Sequence, residues 1–276
     1  MTKGILLSIT LIGIILIASC KTIETYNEAE QPIFLSNNYQ NDTLKVSSLK
    51  VVTFNIHEGS GDEEVVSFFN QADSLRSIDI LLLQEADEHL VQKLSTVFKY
   101  NFIYFPIAKS RSGHNFGNAI LTKHQIMDPR KLILPHEKIN GRIRNATNCV
   151  IDTGVDKVLV YSIHNETIIM SKKKRSEQLD FIIEDIKTKM PVHSKIIVGG
   201  DFNCITASSL KQVREKFERI GFSWHTENID FSSRQFMGLL KFRIDHIFSI
   251  GFSPGKSSKI NGTTSSDHDP IMVYLN

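Results

Sequence analysis

The chain has 276 residues, 32 Lys and Arg against 30 Asp and Glu, a formal charge of +2 and 41% hydrophobic residues. That apolar fraction can fill a real core and excludes intrinsic disorder, while three cysteines are too few for a disulfide scaffold or a CxxC-type zinc site. Near-neutrality excludes nucleic-acid binding by bulk charge, so any work on phosphates falls to a few local residues.

The chain opens with Lys3 and an uncharged, Ile- and Leu-rich run over residues 5–17. This is the positive n-region and short h-region of a secretory signal, below the roughly 17–25 residues of a spanning helix. The run ends Ala18-Ser19-Cys20, which resembles the lipobox of bacterial lipoproteins. That resemblance implies removal of residues 1–19 and lipidation of Cys20. It also implies an extracytoplasmic, lipid-anchored place in the bacterial cell envelope. A plain secretory signal or an uncleaved anchor is the alternative. Residues 20–48 are polar without a sustained period and read as a flexible tether, leaving 49–276 as one folded domain.

From residue 49 the pattern alternates. Residues 50–55 (KVVTFN) predict a strand, and Asp62 is placed to cap a helix with apolar positions Val65, Phe68, Phe69, Ala72 and Leu75. Residues 79–84 (DILLLQ) read as a strand buried on both faces. Further strands are expected at 118–121, 131–134, 147–151 and 158–163. Leu179, Ile182, Ile183, Ile186 and Met190 mark a second helix. Residues 195–198 form a strand ending in Gly199-Gly200, Leu210, Val213 and Phe217 mark a third helix, and 243–249 and 271–275 close the chain as strands. Cys149 and Cys204 are equally compatible with a bridge and with two buried thiols.

Residues able to hold a metal or move a proton recur where these strands end: Asn55, Glu85, His164, Asp201 with Asn203, Asp245, and Asp267 with His268. Singly each has an ordinary explanation as a turn or capping residue. Six strand ends bearing such groups together point to a catalytic rim.

In order, VVTFNIHEG, LLLQEADEHL, VYSIHNE, VGGDFN, RIDHIF and SSDHDPI resemble the endonuclease/exonuclease/phosphatase superfamily. That group includes deoxyribonuclease I, apurinic endonucleases, bacterial sphingomyelinases and inositol polyphosphate 5-phosphatases. The resemblance covers residues 49–276. It implies a four-layer α/β sandwich, two packed mixed β-sheets flanked by helices, with the site at one rim. It further implies Mg²⁺ (or Mn²⁺) held by Asn55 and Glu85, with Asp267 adding to the shell. His268 would be the general base, oriented by Asp245. Asp201 would position the attacking water or accept its proton, Asn203 would donate to a phosphate oxygen, and His164 would bind the phosphate or protonate the leaving oxygen. Arg144 would meet a phosphate, with Arg142 nearly as well placed.

The leading expectation is a monomeric, membrane-tethered nuclease acting on nucleic acid. A phospholipid or inositol-phosphate phosphoesterase is the alternative, disfavoured because no aromatic-rich hairpin suited to entering a bilayer is visible. A non-catalytic binding module is less favoured still, since every matched position keeps its chemical type. Lys172-Lys173-Lys174-Arg175 reads first as a solvated helix start and second as a docking patch for anionic lipid or nucleic acid. His57 and His246 are taken as structural.

Overall fold

The computed structural model describes residues 24–39, 48–57, 61–110, 113–138, 141–235 and 237–276. The expected signal peptide, Cys20 and residues 40–47 of the tether lie outside them. Strands are numbered in chain order. One sheet runs β1 (Phe34–Ser36), β4 (Asn101–Lys109), β5 (Asn115–Thr122), β3 (Ile80–Ala86), β2 (Leu49–Asn55), β15 (Ile271–Leu275), β14 (Pro254–Lys259). The other runs β10 (Ser223–Trp224), β13 (Asp245–Ile250), β9 (Ile196–Asp201), β8 (Lys157–His164), β7 (Asn145–Asp152), β6 (Gln125–Ile133). β11 (Ser233–Gln235) and β12 (Leu240–Phe242) form a separate hairpin. The helices are α1 (Asp62–Gln71), α2 (Glu88–Phe98), α3 (Lys172–Lys189) and α4 (Ala207–Glu218).

Period-two alternation explains the layering. In β3, Leu81 and Leu83 face a core shared with Val65 and Phe69 of α1 and Leu90, Val91 and Leu94 of α2, while Ile80 and Leu82 face the other way. In β8, Leu159, Tyr161 and Ile163 pack against α3 and α4, while Val158 and Val160 meet Ile80 and Leu82 between the sheets. Strands apolar on both faces can only be central, so the order is helices, sheet, sheet, helices. This is the four-layer sandwich expected.

Topology then aims the polar ends. β2 and β3 are parallel, as are β8 and β9, and each of the four is followed by a helix. A hydrogen bond from Asn55 Nδ2 to Asp201 Oδ2 (3.1 Å) shows that the two pairs finish at one common edge. Gly199 and Gly200 close the sheets there. A Cβ at Gly200, whose φ is +149°, would stand 1.9 Å from the Ile163 carbonyl oxygen, and one at Gly199 would meet Leu82 Cδ1 at 2.6 Å.

Several expectations need correction. Asp62 is the first residue of α1 rather than its cap, which is Gly61, and α1 stops at Gln71, leaving Leu75 in a short 3₁₀ turn. The region 88–109 contains α2 and β4, neither anticipated. Asp87 caps α2 by accepting from the Leu90 N–H, and β4 is a largely apolar strand, buried from Asn101 to Ala108. Cys149 and Cys204 are both free, and they lie on opposite faces of the second sheet, one between the sheets and one under the helices. The described part of the expected tether, 24–39, is paired to the domain. β1 lies along β4, Thr25 bridges Ala108, the Lys109 N–H donates to the Glu24 carbonyl, and the Asn37 side chain bonds both backbone groups of Ile126. Among the described residues no helix is long and apolar enough to cross a membrane.

Gly200→Ala combines strained backbone with a backbone clash, so it should cost well over about 1 kcal/mol, read as a lower urea midpoint. An unchanged midpoint would mean that β8 and β9 are free to move apart.

Candidate active site

Strand register brings the polar ends together before any side chain is considered. His164 pairs with Asp201 across the parallel β8–β9 ladder, and Asp201 pairs with Asp245 across β9–β13. In the other sheet Asn55 pairs with Gln84, one residue before Glu85. A register shift in β3 between Leu83 and Ala86, with Glu85 at φ +58°, breaks the alternation there and turns Glu85 to the open edge. The segment leading into β15 is tied down by a Ser266 hydroxyl donating to the Asn55 carbonyl (2.7 Å), which places Asp267 and His268 on the same rim. All nine residues expected at the site are thereby gathered. Eight of them line one open cavity of about 440 Å³, and the ninth, Asp245, lies directly behind His268.

The second-sheet wall is a charge relay in space. His268 Nδ1 meets Asp245 Oδ2 at 2.7 Å, leaving Nε2 towards the cavity, 4.0 Å from both Asp201 Oδ2 and Asp267 Oδ1. Burial would drive the imidazolium pKa down, but Asp245, with Asp201 and Asp267 beyond it, overrides this and holds it up at about 10. Burial and then the Asp245 charge push the Asp201 carboxyl up to about 7. Asp201 keeps ionic character through the Asn203 N–H (2.8 Å) and the side chains of Asn203 and Asn55. Asn203, at φ +49°, spends its amide on Asp201 and on the Asn165 carbonyl (2.9 Å).

His164 has the opposite character. Burial first, then Arg144, lowers its pKa well below the ordinary value, so the ring is neutral. Arg144 has only donors, and its guanidinium lies 3.1 Å from His164 Nδ1, so Nδ1 accepts and the proton sits on Nε2. That Nε2–H points into the space between Glu85 (3.7 Å) and Asp201 (3.6 Å). Arg144 itself is buried and also paired with Glu166 (3.4 Å), so it orients His164 from the cavity wall rather than standing at the mouth. Arg142, half-buried over the Phe116 ring (3.8 Å), and Lys138, paired with Glu166 (2.7 Å), complete a cationic wall.

Three functional neighbours escaped the sequence. His57 lies at the mouth with Nδ1 3.2 Å from Asp267, which correspondingly raises the His57 pKa, so it belongs to the site and is not merely structural. Gln235 of the β11–β12 hairpin donates to Asp267 Oδ2. Glu166, fully buried, is the counter-ion of Lys138 and Arg144. Only the two-residue offset of His57 from Asn55 hinted at any of these. His246 is structural as expected, enclosed by Thr226, Trp224 and Cys204.

The donor chemistry suits a hard divalent cation. Asn55 and Glu85 offer an amide oxygen and a carboxylate on one rim, and Asp267 a second carboxylate whose pKa the His57 contact lowers despite burial. Asp201, Asp245 and His268 also bring ligand-type atoms within 4.8 Å of one another. In that trio, however, the hydrogen bond to Asp245 and the raised pKa make His268 a donor rather than a ligand.

Glu166→Gln removes the carboxylate shared by buried Arg144 and half-buried Lys138, leaving Arg144 only Glu85 at 3.9 Å, so a loss of up to about 3–5 kcal/mol in urea unfolding is expected. A loss below about 1 kcal/mol would mean water reaches both cations. In the metal-free protein the His268 ring should titrate near 10 by NMR, and Asp245→Asn should lower that value, because Asp245 is the strongest of the groups that raise it and only the weaker Asp201 and Asp267 then oppose burial. The stability this raised pKa contributes is complete below 6.5 and is lost as pH rises through about 10. A titration that ignores Asp245→Asn would remove Asp245 as the cause.

No curated protein matches this chain by sequence. Solved structures share its fold at low identity. An endonuclease/exonuclease/phosphatase from Bacteroides vulgatus aligns with TM-score 0.67 at 17% identity, over 84% of this chain and 99% of that one. A family protein from Leptotrichia buccalis C-1013-b aligns with TM-score 0.65 at 17% identity, over 83% and 99%. D. rerio TDP2, in complex with a single-strand DNA product, aligns with TM-score 0.66 at 18% identity, over 84% and 100%. The family model for the endonuclease/exonuclease/phosphatase family matches residues 52–268, from within β2 to His268 itself. With the fold and the rim constellation in place, that match assigns the chain to the endonuclease/exonuclease/phosphatase family.

Proposed function

We infer that this chain shares the activity general to its family, hydrolysis of phosphoester bonds with a divalent metal. We propose that this chain is a Mg²⁺-dependent phosphodiester hydrolase, held at the bacterial cell envelope through lipidated Cys20 and working as a monomer. One observation carries the chemistry: residues from both sheets, among them Glu85, Asn55, Asp201, His164 and the Asp245–His268 pair, converge on a single open cavity.

Asn55 and Glu85, with Asp267 beside them, would hold the ion, and Mn²⁺ satisfies the same oxygen donors. The ion supplies neutralisation of phosphate charge and a more acidic water. Asp201, with its pKa near neutrality, is suited to orient that water and accept its proton. His268, held as an imidazolium by Asp245, would stabilise phosphoryl charge, and its Nε2 faces the cavity where, once deprotonated, it would serve as the base. The neutral His164 presents Nε2–H to a phosphoryl or leaving oxygen, with Arg144 fixing the tautomer. Asn203 holds the Asp201 carboxylate in place and can turn one N–H to the phosphate.

The first substrate reading remains nucleic acid. The Lys138, Arg142 and Arg144 wall complements a phosphate backbone, and a fold relative, TDP2, is seen with single-strand DNA. A phospholipid or inositol-phosphate substrate is the second reading, and a specific observation favours it. The β11–β12 turn, which follows the cavity residue Gln235, fully exposes Met237 and leaves Leu239 at 80%. An aliphatic hairpin therefore stands where none was visible in the sequence.

The full chain should be assayed with Mg²⁺ on plasmid DNA, RNA, sphingomyelin and inositol polyphosphates. Beside it, Asp201→Asn and His268→Ala should each lower kcat by about 10²–10⁴. DNA left intact while a lipid turns over overturns the nuclease reading, and absence of any turnover overturns the enzyme. Intact mass without a diacylglyceryl group would remove the anchor.

A further inference from the structure

The chain enters the folded domain at its catalytic edge. β5 runs antiparallel to β3 with Gly117 opposite Ala86, and antiparallel to β4 with Phe116 opposite Ala108 and Asn115 opposite Lys109. The Phe116 ring is 6.2 Å from His164, so the end of β4 borders the site. Thr25 bridges Ala108, the Glu24 carbonyl accepts from Lys109, and the Tyr26 hydroxyl donates to Asn115 at 2.7 Å. The first described residue, Glu24, thus lies beside the cavity and not at the opposite end of the sheets. Cys20 precedes it by four residues, which reach at most about 14 Å when fully extended. An anchor at Cys20 would draw this edge, and no other, to the membrane.

That edge is also where exposed aliphatic residues collect. Two loops flank the mouth, one through Thr167 and one through Gln235, both of which line the cavity. Beyond Thr167 come Ile168 and Ile169, the latter 74% exposed, and beyond Gln235 come Met237 (100%) and Leu239 (80%). Isolated exposed apolar residues need no explanation, but two such pairs beside one cavity do. Lys172, Lys173 and Lys174 follow two residues after the first pair, all exposed at the start of α3. The acids of the first α1 turn, Asp62, Glu63 and Glu64, open on the same edge but behind the other sheet, away from the lysines.

We propose that the catalytic edge is a membrane-docking face, with Ile168, Ile169, Met237 and Leu239 entering the headgroup region of an anionic phospholipid bilayer and Lys172–Lys174 lying on its surface. It rests on the anchored phosphodiesterase reading and selects its substrate. A cavity held mouth-down on a bilayer takes phosphodiesters of phospholipid headgroups. Apolar tips supply burial at the interface, and each lysine near an anionic surface adds about 1 kcal/mol.

Ile169→Cys and Leu239→Cys, on separate loops, would carry an environment-sensitive fluorophore in the full chain, with Val192→Cys, beyond the far end of α3, as control. In phosphatidylglycerol vesicles the first two probes should shift to the blue and lose iodide quenching, while the control stays water-like. In phosphatidylcholine vesicles the shift should be smaller, because the lysine contribution is gone. Probes at 169 and 239 that remain water-like in both vesicles overturn the docking face, as does a control that shifts equally. The readout needs no turnover, so failure of docking and failure of the hydrolase reading are separately visible. With docking established, hydrolysis of DNA but not of vesicle phospholipid overturns the substrate assignment.

Discussion

Asp201 is the carboxylate on which the two halves of the molecule agree. It ends a parallel strand of the second sheet, accepts from Asn55 of the first, and lies within 4.0 Å of His164 and His268. Buried and beside Asp245, it is made tolerable by the charge of His268 and by three donors, the Asn203 backbone, Asn203 side chain and Asn55 side chain, that converge on it. The Asn55 donor arrives only if both sheets end at the same height. The core between the sheets sets that height, and Gly199, against Leu82 of the first sheet, allows the close approach.

From this constraint the histidines acquire opposite characters. His268 faces carboxylates and is held charged, whereas His164 faces Arg144 and is held neutral with its proton on the cavity side. Two chemically identical side chains, about equally buried, thus become a cationic clamp and a neutral donor. The difference lies in their neighbours, and Glu166 underwrites it by compensating the cations that surround His164.

Much of this was legible along the chain. Strand ends mark themselves because a buried apolar run must stop where its polar side chains reach solvent, which is why Asn55, Glu85, His164, Asp201 and Asp245 stood out. Less visible were α2 and β4, whose junction offers little turn chemistry between two apolar stretches. The segment 24–39 pairs with the domain although its sequence reads as a tether, for a related reason. Its hold on the domain is backbone pairing to β4, which any polar sequence can make, and side-chain bonds such as Asn37 to Ile126 of β6, which show no period, and only Phe34 and Ile33 reach the cores.

The order of hydrophobic and polar residues by itself determined the layered α/β class, the strands buried on two faces and the identities of the rim residues, because burial and periodicity are local properties of a chain. Tertiary structure alone decided which groups pair, the charge state of each histidine, the inward role of Arg144, the membership of His57 and Gln235, and the edge at which the chain enters. Each of those depends on distances between residues far apart in sequence. Electrostatics and hydrogen bonding act across a few ångströms of space, whatever the number of residues between them.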